Sequence, residues 1–221
     1  MLNLQPIHQA IIELQNEFQQ NPSLFFTEQD LASRCYALVQ NALQYRTVTG
    51  KDNRLFHLVH LDYPTPFRCD TANKECDYKN EDDPTPKGNK YQRGHYDLVV
   101  LNPAFLKEST YELAKGQTYE LLRRELPAIL YRTQEPVILL GLEFELNRVP
   151  FSSQQQAQNW CDWVLRNYQK LLNSETWEYM PFMKEYRMLV FDGAGESEYA
   201  EFLKKAFQSY EGVEYISIAP A

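Results

Sequence analysis

The chain predicts an α/β fold with a mixed central sheet flanked by helices, and three observations carry that prediction. Two amphipathic helical stretches open the sequence; three apolar, strand-like runs follow at residues 54–61, 95–101 and 136–146; strands then alternate with helices to residue 218. Consecutive strands favour an antiparallel meander, and strand–helix–strand units favour right-handed parallel crossovers, so the sum is a mixed sheet with helices on both faces. Nothing between residues 94 and 221 looks like a linker, and one domain spanning 1–221 is expected.

The elements follow in order. Leu4, Ile7, Ile11, Leu14 and Phe18 recur at helical spacing, and Asn21-Pro22 ends that first helix. In "FFTEQDLASRCYALVQNAL" Thr27 is placed as an N-cap with Asp30 three residues on, Phe26 and Leu31 are spaced for a hydrophobic staple, and Leu31, Cys35, Leu38 and Ala42 continue the buried stripe. "RLFHLVHL" and "HYDLVVL" read as strands, separated by a loop insertion over 62–93 that carries four prolines and no periodicity. The insertion over 102–135 is partly helical, with Leu121, Leu122 and Ile129 apolar, and Pro127 is expected to break or restart its helix. After the third strand, Ser152 or Ser153 opens a helix carrying Trp160, Val164, Tyr168 and Leu171. "YRMLVFD", the helix in "GESEYAEFLKKAFQSY" and the strand "VEYISI" complete an ααβββαβαβ order.

Composition narrows the class. With 43% hydrophobic residues and 15 tyrosines, the chain can bury a large core, so disorder does not dominate. The N-terminal stretch has no basic start followed by an apolar core, and no run approaches about 18 apolar residues. No signal peptide and no membrane partner are therefore expected, and a cytoplasmic location is. Cys35, Cys69, Cys76 and Cys161 are then expected as reduced thiols. A net charge of −8 argues against nucleic-acid binding by the whole surface, which needs clustered Lys and Arg, but leaves room for a local basic patch.

The chemistry lies in "GLEFELNR". Side chains alternate along a strand, so Glu143 and Glu145 project to one side about 7 Å apart. In the second strand His95, Asp97 and Val99 share a face, and Asp97 is the lone acid of its run. If the two strands pair as antiparallel neighbours, Asp97 stands beside Glu143 or Glu145. Three carboxylates in one patch are stable only with a raised pKa or a neutralising cation, and Mg²⁺ is commonly held by one or two carboxylates plus waters and phosphate oxygens. That combination is hydrolytic.

A helix with Glu28 near its start, a strand with a lone aspartate in "GHYDLVVLN", a strand ending in Glu143-Phe144-Glu145, and a following helix with "NYQKLL" together resemble the PD-(D/E)xK nuclease superfamily over roughly residues 25–61 and 94–192. The resemblance implies a restriction-endonuclease-like αβββαβ core, here with a C-terminal αβ extension, one or two Mg²⁺ or Mn²⁺ ions, and hydrolysis of phosphodiester bonds in nucleic acid, mostly DNA. It further implies Asp97 and Glu143 as metal ligands with the Phe144 carbonyl, and a homodimer. Glu145 departs from the pattern, since lysine is usual there; it is assigned as general base or further ligand, with Lys170 as the candidate replacement cation and Glu28 as an outer ligand.

Plainer readings stand beside these. Glu143 and Glu145 also fit a strand end emerging into solvent, and Glu28 also fits a macrodipole complement in a first helical turn. Glutamate in place of lysine also fits a catalytically degenerate relative that serves as a non-enzymatic interaction module. Cys69 and Cys76, with Asp70, Asp77, His57 and His60 nearby, raise a zinc site, although their spacing is not a compact C-x₂₋₄-C and the two histidines point to opposite strand faces. Lys87, Lys90 and Arg93, with Tyr91 for stacking, fit either a phosphate contact or a solvated loop balancing the acids at 81–83.

Overall fold

The computed structural model describes residues 2–70, 91–174, 176–177, 180–194 and 199–218; the side chains of 67–70, 91–93, 119, 176–177 and 180 lie outside that description. In chain order its elements are α1 (Gln5–Gln20), α2 (Glu28–Ala42), β1 (Thr47–Thr49), β2 (Leu55–His57), β3 (Val59–Asp70), β4 (Tyr91–Leu101), α3 (Pro103–Glu108), α4 (Tyr111–Ala114), α5 (Tyr119–Thr133), β5 (Ile138–Asn147), α6 (Gln154–Leu172), β6 (Thr176–Trp177), β7 (Met180–Pro181), β8 (Met183–Asp192), α7 (Ala200–Phe207) and β9 (Val213–Ser217). The main sheet is open and mixed, in the order β3-β4-β5-β8-β9. β3, β4 and β5 form the antiparallel meander, and β8 and β9 add in parallel.

One face of the sheet packs on α1 and α2. Ile7, Ile11, Leu14 and Phe18 are buried along α1, and Phe18 meets Phe191 edge-on at 4.8 Å between ring centroids, with Phe144 stacked on Phe191 beyond it. The other face packs on α6 and α7. Ala157, Cys161, Val164, Tyr168 and Leu171 form the buried stripe of α6, and Phe207 of α7 lies against Tyr215 of β9. Gly141 sits where this face closes, since a Cβ there would lie 2.5 Å from the Met183 methyl. Cys35 and Cys161 are buried free thiols.

Helix starts follow the sequence signals. Thr27 Oγ accepts from the Asp30 N–H while Asp30 reaches back to the Thr27 N–H, a capping box, and Ser153 caps α6 through the Gln156 N–H.

Four expectations change. The apolar run 54–61 is two strands: β2 pairs with β1 in a small hairpin, and only from Val59 does the chain join the main sheet. Of the loop placed over 62–93, residues 62–70 continue β3 and 91–93 open β4, while residues 71–90 lie outside the described residues. Prolines at 64 and 66 are tolerated because β3 is an edge strand with a register shift between Pro64 and Arg68. α5 runs through Pro127 without a break, since burial of Leu122, Leu126, Ile129 and Leu130 on one face outweighs the lost hydrogen bond. Phe26 does not staple α2 either: it is 73% exposed, and Phe25 fills the core position instead.

Candidate active site

The ladder between β4 and β5 stops at Leu98–Leu142, one step before Asp97 would meet Glu143. β4 stays paired with β3 past that point, through Tyr63–Tyr96 and Pro64–His95, so β4 and β5 splay apart and leave a gap. A splayed strand exposes backbone donors that a buried environment must satisfy. Here the acids do it: Asp97 Oδ2 accepts from the Phe144 N–H at 2.7 Å, and Glu28 Oε1 accepts from the Leu146 N–H at 3.3 Å. In an antiparallel ladder a residue's N–H and C=O turn toward the same neighbour, so the Phe144 carbonyl faces the gap as well.

Glu143 and Glu145 do not emerge into solvent. They are 4% and 2% exposed, on the face covered by α6. Lys170 of α6 reaches Glu143 Oε2 at 2.6 Å and donates to the His95 carbonyl at 2.6 Å, tying β4 to α6 across the gap. Asn167, one helical turn earlier, donates to Glu145 Oε1 at 2.6 Å. The C-terminal end of α6 is anchored by Tyr96, whose hydroxyl donates to Ser174 Oγ. The remaining oxygens, Glu143 Oε1 and Glu145 Oε2, are buried and accept from no well-aligned donor, although the Asp97 N–H acts on Glu143 and a protonated Glu145 is within hydrogen-bonding reach of the Glu28 carboxylate.

The electrostatics follow from burial. It pushes Glu143 up to about 8 despite the Lys170 ammonium beside it, with the Asp97 charge adding to the rise. Glu145 is pushed to about 9, by burial first and only partly offset by the Asn167 hydrogen bond, while the charges of Glu28, Glu143 and Asp97 raise it further. Asp97 and Glu28 are also raised, chiefly by desolvation and against the backbone bonds they accept. A site of this kind holds protons at neutral pH or exchanges them for a cation.

All five predicted site side chains lie in this neighbourhood. Asp97, Glu143 and Lys170 converge at the gap, Glu145 sits one step along β5, and Glu28 enters from the start of α2. Among the described residues, no group of three His, Cys, Asp or Glu is placed to hold a metal ion. The carboxylates of Asp97, Glu143 and Glu145 and the Phe144 carbonyl are all oxygen donors, a chemistry that fits a hard cation keeping waters and substrate oxygens in its shell. It does not fit zinc. Of the zinc candidates, His60 bonds to the His57 carbonyl at 2.9 Å; Cys76 and Asp77, and the side chains of Cys69 and Asp70, lie outside the described residues. Lys87 and Lys90, and the side chains of Tyr91 and Arg93, lie outside them too.

Two residues went unpredicted. Asn167 precedes Lys170 by one helical turn, a spacing that would have found it. Asp62 was placed in a loop; it lies in β3 between residues that pair with Tyr96 and Leu98, has a left-handed φ of 53°, and its charge acts on Asp97. A non-glycine residue in that conformation inside a strand is strained, and strain of this sort gathers at functional sites.

No helix among the described residues is long and apolar enough to cross a membrane. Comparison with protein-family models, with curated proteins and with solved structures finds no match to this chain.

Proposed function

We propose that this chain is a phosphodiester hydrolase acting on nucleic acid, DNA in the first instance, with Mg²⁺ or Mn²⁺ as cofactor. The observation that supports the reading best is the splay of β4 from β5 at Asp97 and Glu143, which gathers buried, incompletely satisfied carboxylates beside one lysine. Asp97, Glu143 and the Phe144 carbonyl are the groups that would hold the cation. When bound, such an ion polarises the phosphoryl oxygen and lowers the pKa of a water.

The chain's own residues have separate tasks. Lys170 places its ammonium on the far end of α6, replacing the cation absent from position 145, and offsets the negative charge that develops on the phosphoryl oxygens. Glu145, once ionised, accepts the proton of the attacking water, and Asn167 fixes its orientation by holding Oε1. Glu28 steadies the β5 end of the gap through the Leu146 N–H.

The test is cleavage of labelled single-stranded, duplex and branched DNA with Mg²⁺ or Mn²⁺. Asp97→Asn and Glu143→Gln keep the acceptors and shapes that the fold uses, and each is expected to lower the rate by about a hundredfold or more with the circular dichroism spectrum unchanged. Absence of cleavage on every substrate with either metal contradicts the reading.

One observation favours a second reading, a non-enzymatic interaction module: Lys170 already pairs with Glu143 at 2.6 Å, so the site is satisfied in part without a cation. That reading predicts no calorimetric heat and no thermal stabilisation on adding Mn²⁺.

A further inference from the structure

Phe26 is 73% exposed and sits on the turn before α2, two residues ahead of Glu28. The turn is fixed, because the N–H groups of Phe26 and Thr27 both donate to Asp30 Oδ2 at 2.9 Å. The fold has no use for the ring, since the adjacent Phe25, 3% exposed, supplies the core contact. The Arg148 guanidinium lies over the ring, 5.5 Å from its centroid. Arg148 follows Leu146, whose N–H the Glu28 carboxylate holds, by two residues, and among the described residues it makes no ion pair. A rigidly presented aromatic and a cation therefore lie together, each two residues along the chain from a partner in the Glu28–Leu146 bond, at the Glu28 end of the acid cluster.

We infer that Phe26 and Arg148 form a stacking platform for an unpaired base at the Glu28 end of the hydrolytic site, so that the preferred substrate is single-stranded nucleic acid. The inference rests on the hydrolase reading of the site. With Arg148 over one face, the remaining exposure of the ring belongs to its other face and edge, which is what a base covers when it stacks. In a duplex both faces of a base are already stacked on neighbours, so only an unstacked nucleotide can use the platform. Arg148 is then placed to meet the adjacent phosphate, and in a chain of net charge −8 a polyanion depends on such local cations.

The test is fluorescence anisotropy with a short fluorescein-labelled oligothymidylate and a duplex of the same length, in Ca²⁺ to keep the strands intact, alongside cleavage in Mn²⁺. The parent protein is expected to bind the single strand more tightly than the duplex. Phe26→Ala weakens the single-strand complex between about fivefold and a hundredfold and leaves duplex binding near the parent value. Phe26→Trp restores single-strand affinity, and its added emission is quenched on binding. If Phe26→Ala binds and cleaves the single strand as the parent does, the platform is overturned while the hydrolytic site stands. If the parent cleaves nothing but Phe26→Ala still loses oligothymidylate affinity, the platform stands and the hydrolase reading falls. A parent protein with no affinity for the oligothymidylate overturns the platform.

Discussion

Glu143 and Glu145 share a strand face but not a fate. Glu143 has an ammonium at 2.6 Å, whereas Glu145 has only an amide, and burial lifts the first to about 8 and the second to about 9. In the unfolded chain both return to the ordinary value of 4.5. A folded pKa above the unfolded one means that the folded state binds protons more tightly, so the stabilisation is fully present below about pH 4.5 and is lost as pH climbs through the folded values. The melting temperature of the metal-free protein is therefore expected to fall between about pH 5 and 9 on account of these groups. Half-buried His60, whose pKa is lowered from 6.5 by desolvation, acts in the opposite direction below that value, so the readout is the difference between parent and variant. Glu145→Gln, which cannot ionise, should melt higher than the parent at about pH 9 and close to it at about pH 5. An equal difference at both ends contradicts the burial argument.

At the scale of elements, two helices show how packing overrides local preference. α5 contains Pro127 in its ninth position, where the ring removes the hydrogen bond to the Arg123 carbonyl at a cost of about 3 kcal/mol. The helix persists because four apolar side chains bury on one side of it. Pro127→Ala restores the donor and should stabilise the protein by about 1–3 kcal/mol in urea denaturation, with no loss of cleavage. A destabilised variant would mean that the proline sets the path of α5 toward β5. α2 illustrates the reverse: Thr27 and Asp30 cap it as local chemistry dictates, and the same cap fixes Phe26 outward and Glu28 toward Leu146. The β4–β5 splay is held on one side by Asp97 and Glu28, which replace strand carbonyls as acceptors, and on the other by Lys170 bound to the His95 carbonyl.

For the whole molecule, the mixed sheet and the placement of its acids were legible because both rest on periodicity. Period two put Asp97, Glu143 and Glu145 on their strand faces, and period 3.6 put Lys170 on the helix that covers them. What periodicity could not show was contact chemistry. In "FF" at 25–26 either ring can take the core, and the capping box decides which. The β1–β2 hairpin was hidden because its strands are three residues each, and the length of β3 because an edge strand tolerates proline and polar residues that read as loop. Asp62 was missed for that reason alone. The extreme burial of Glu143 and Glu145 was invisible because it comes from α6 lying over them. These contacts support one proposal about the molecule: that the gap between β4 and β5 seats a hard divalent cation. Its most direct test is anomalous diffraction from crystals grown in Mn²⁺. The account predicts one manganese peak in that gap, about 2 Å from a carboxylate oxygen of Asp97 and of Glu143. A gap without manganese density at saturating Mn²⁺, with the Lys170–Glu143 pair intact, would contradict it.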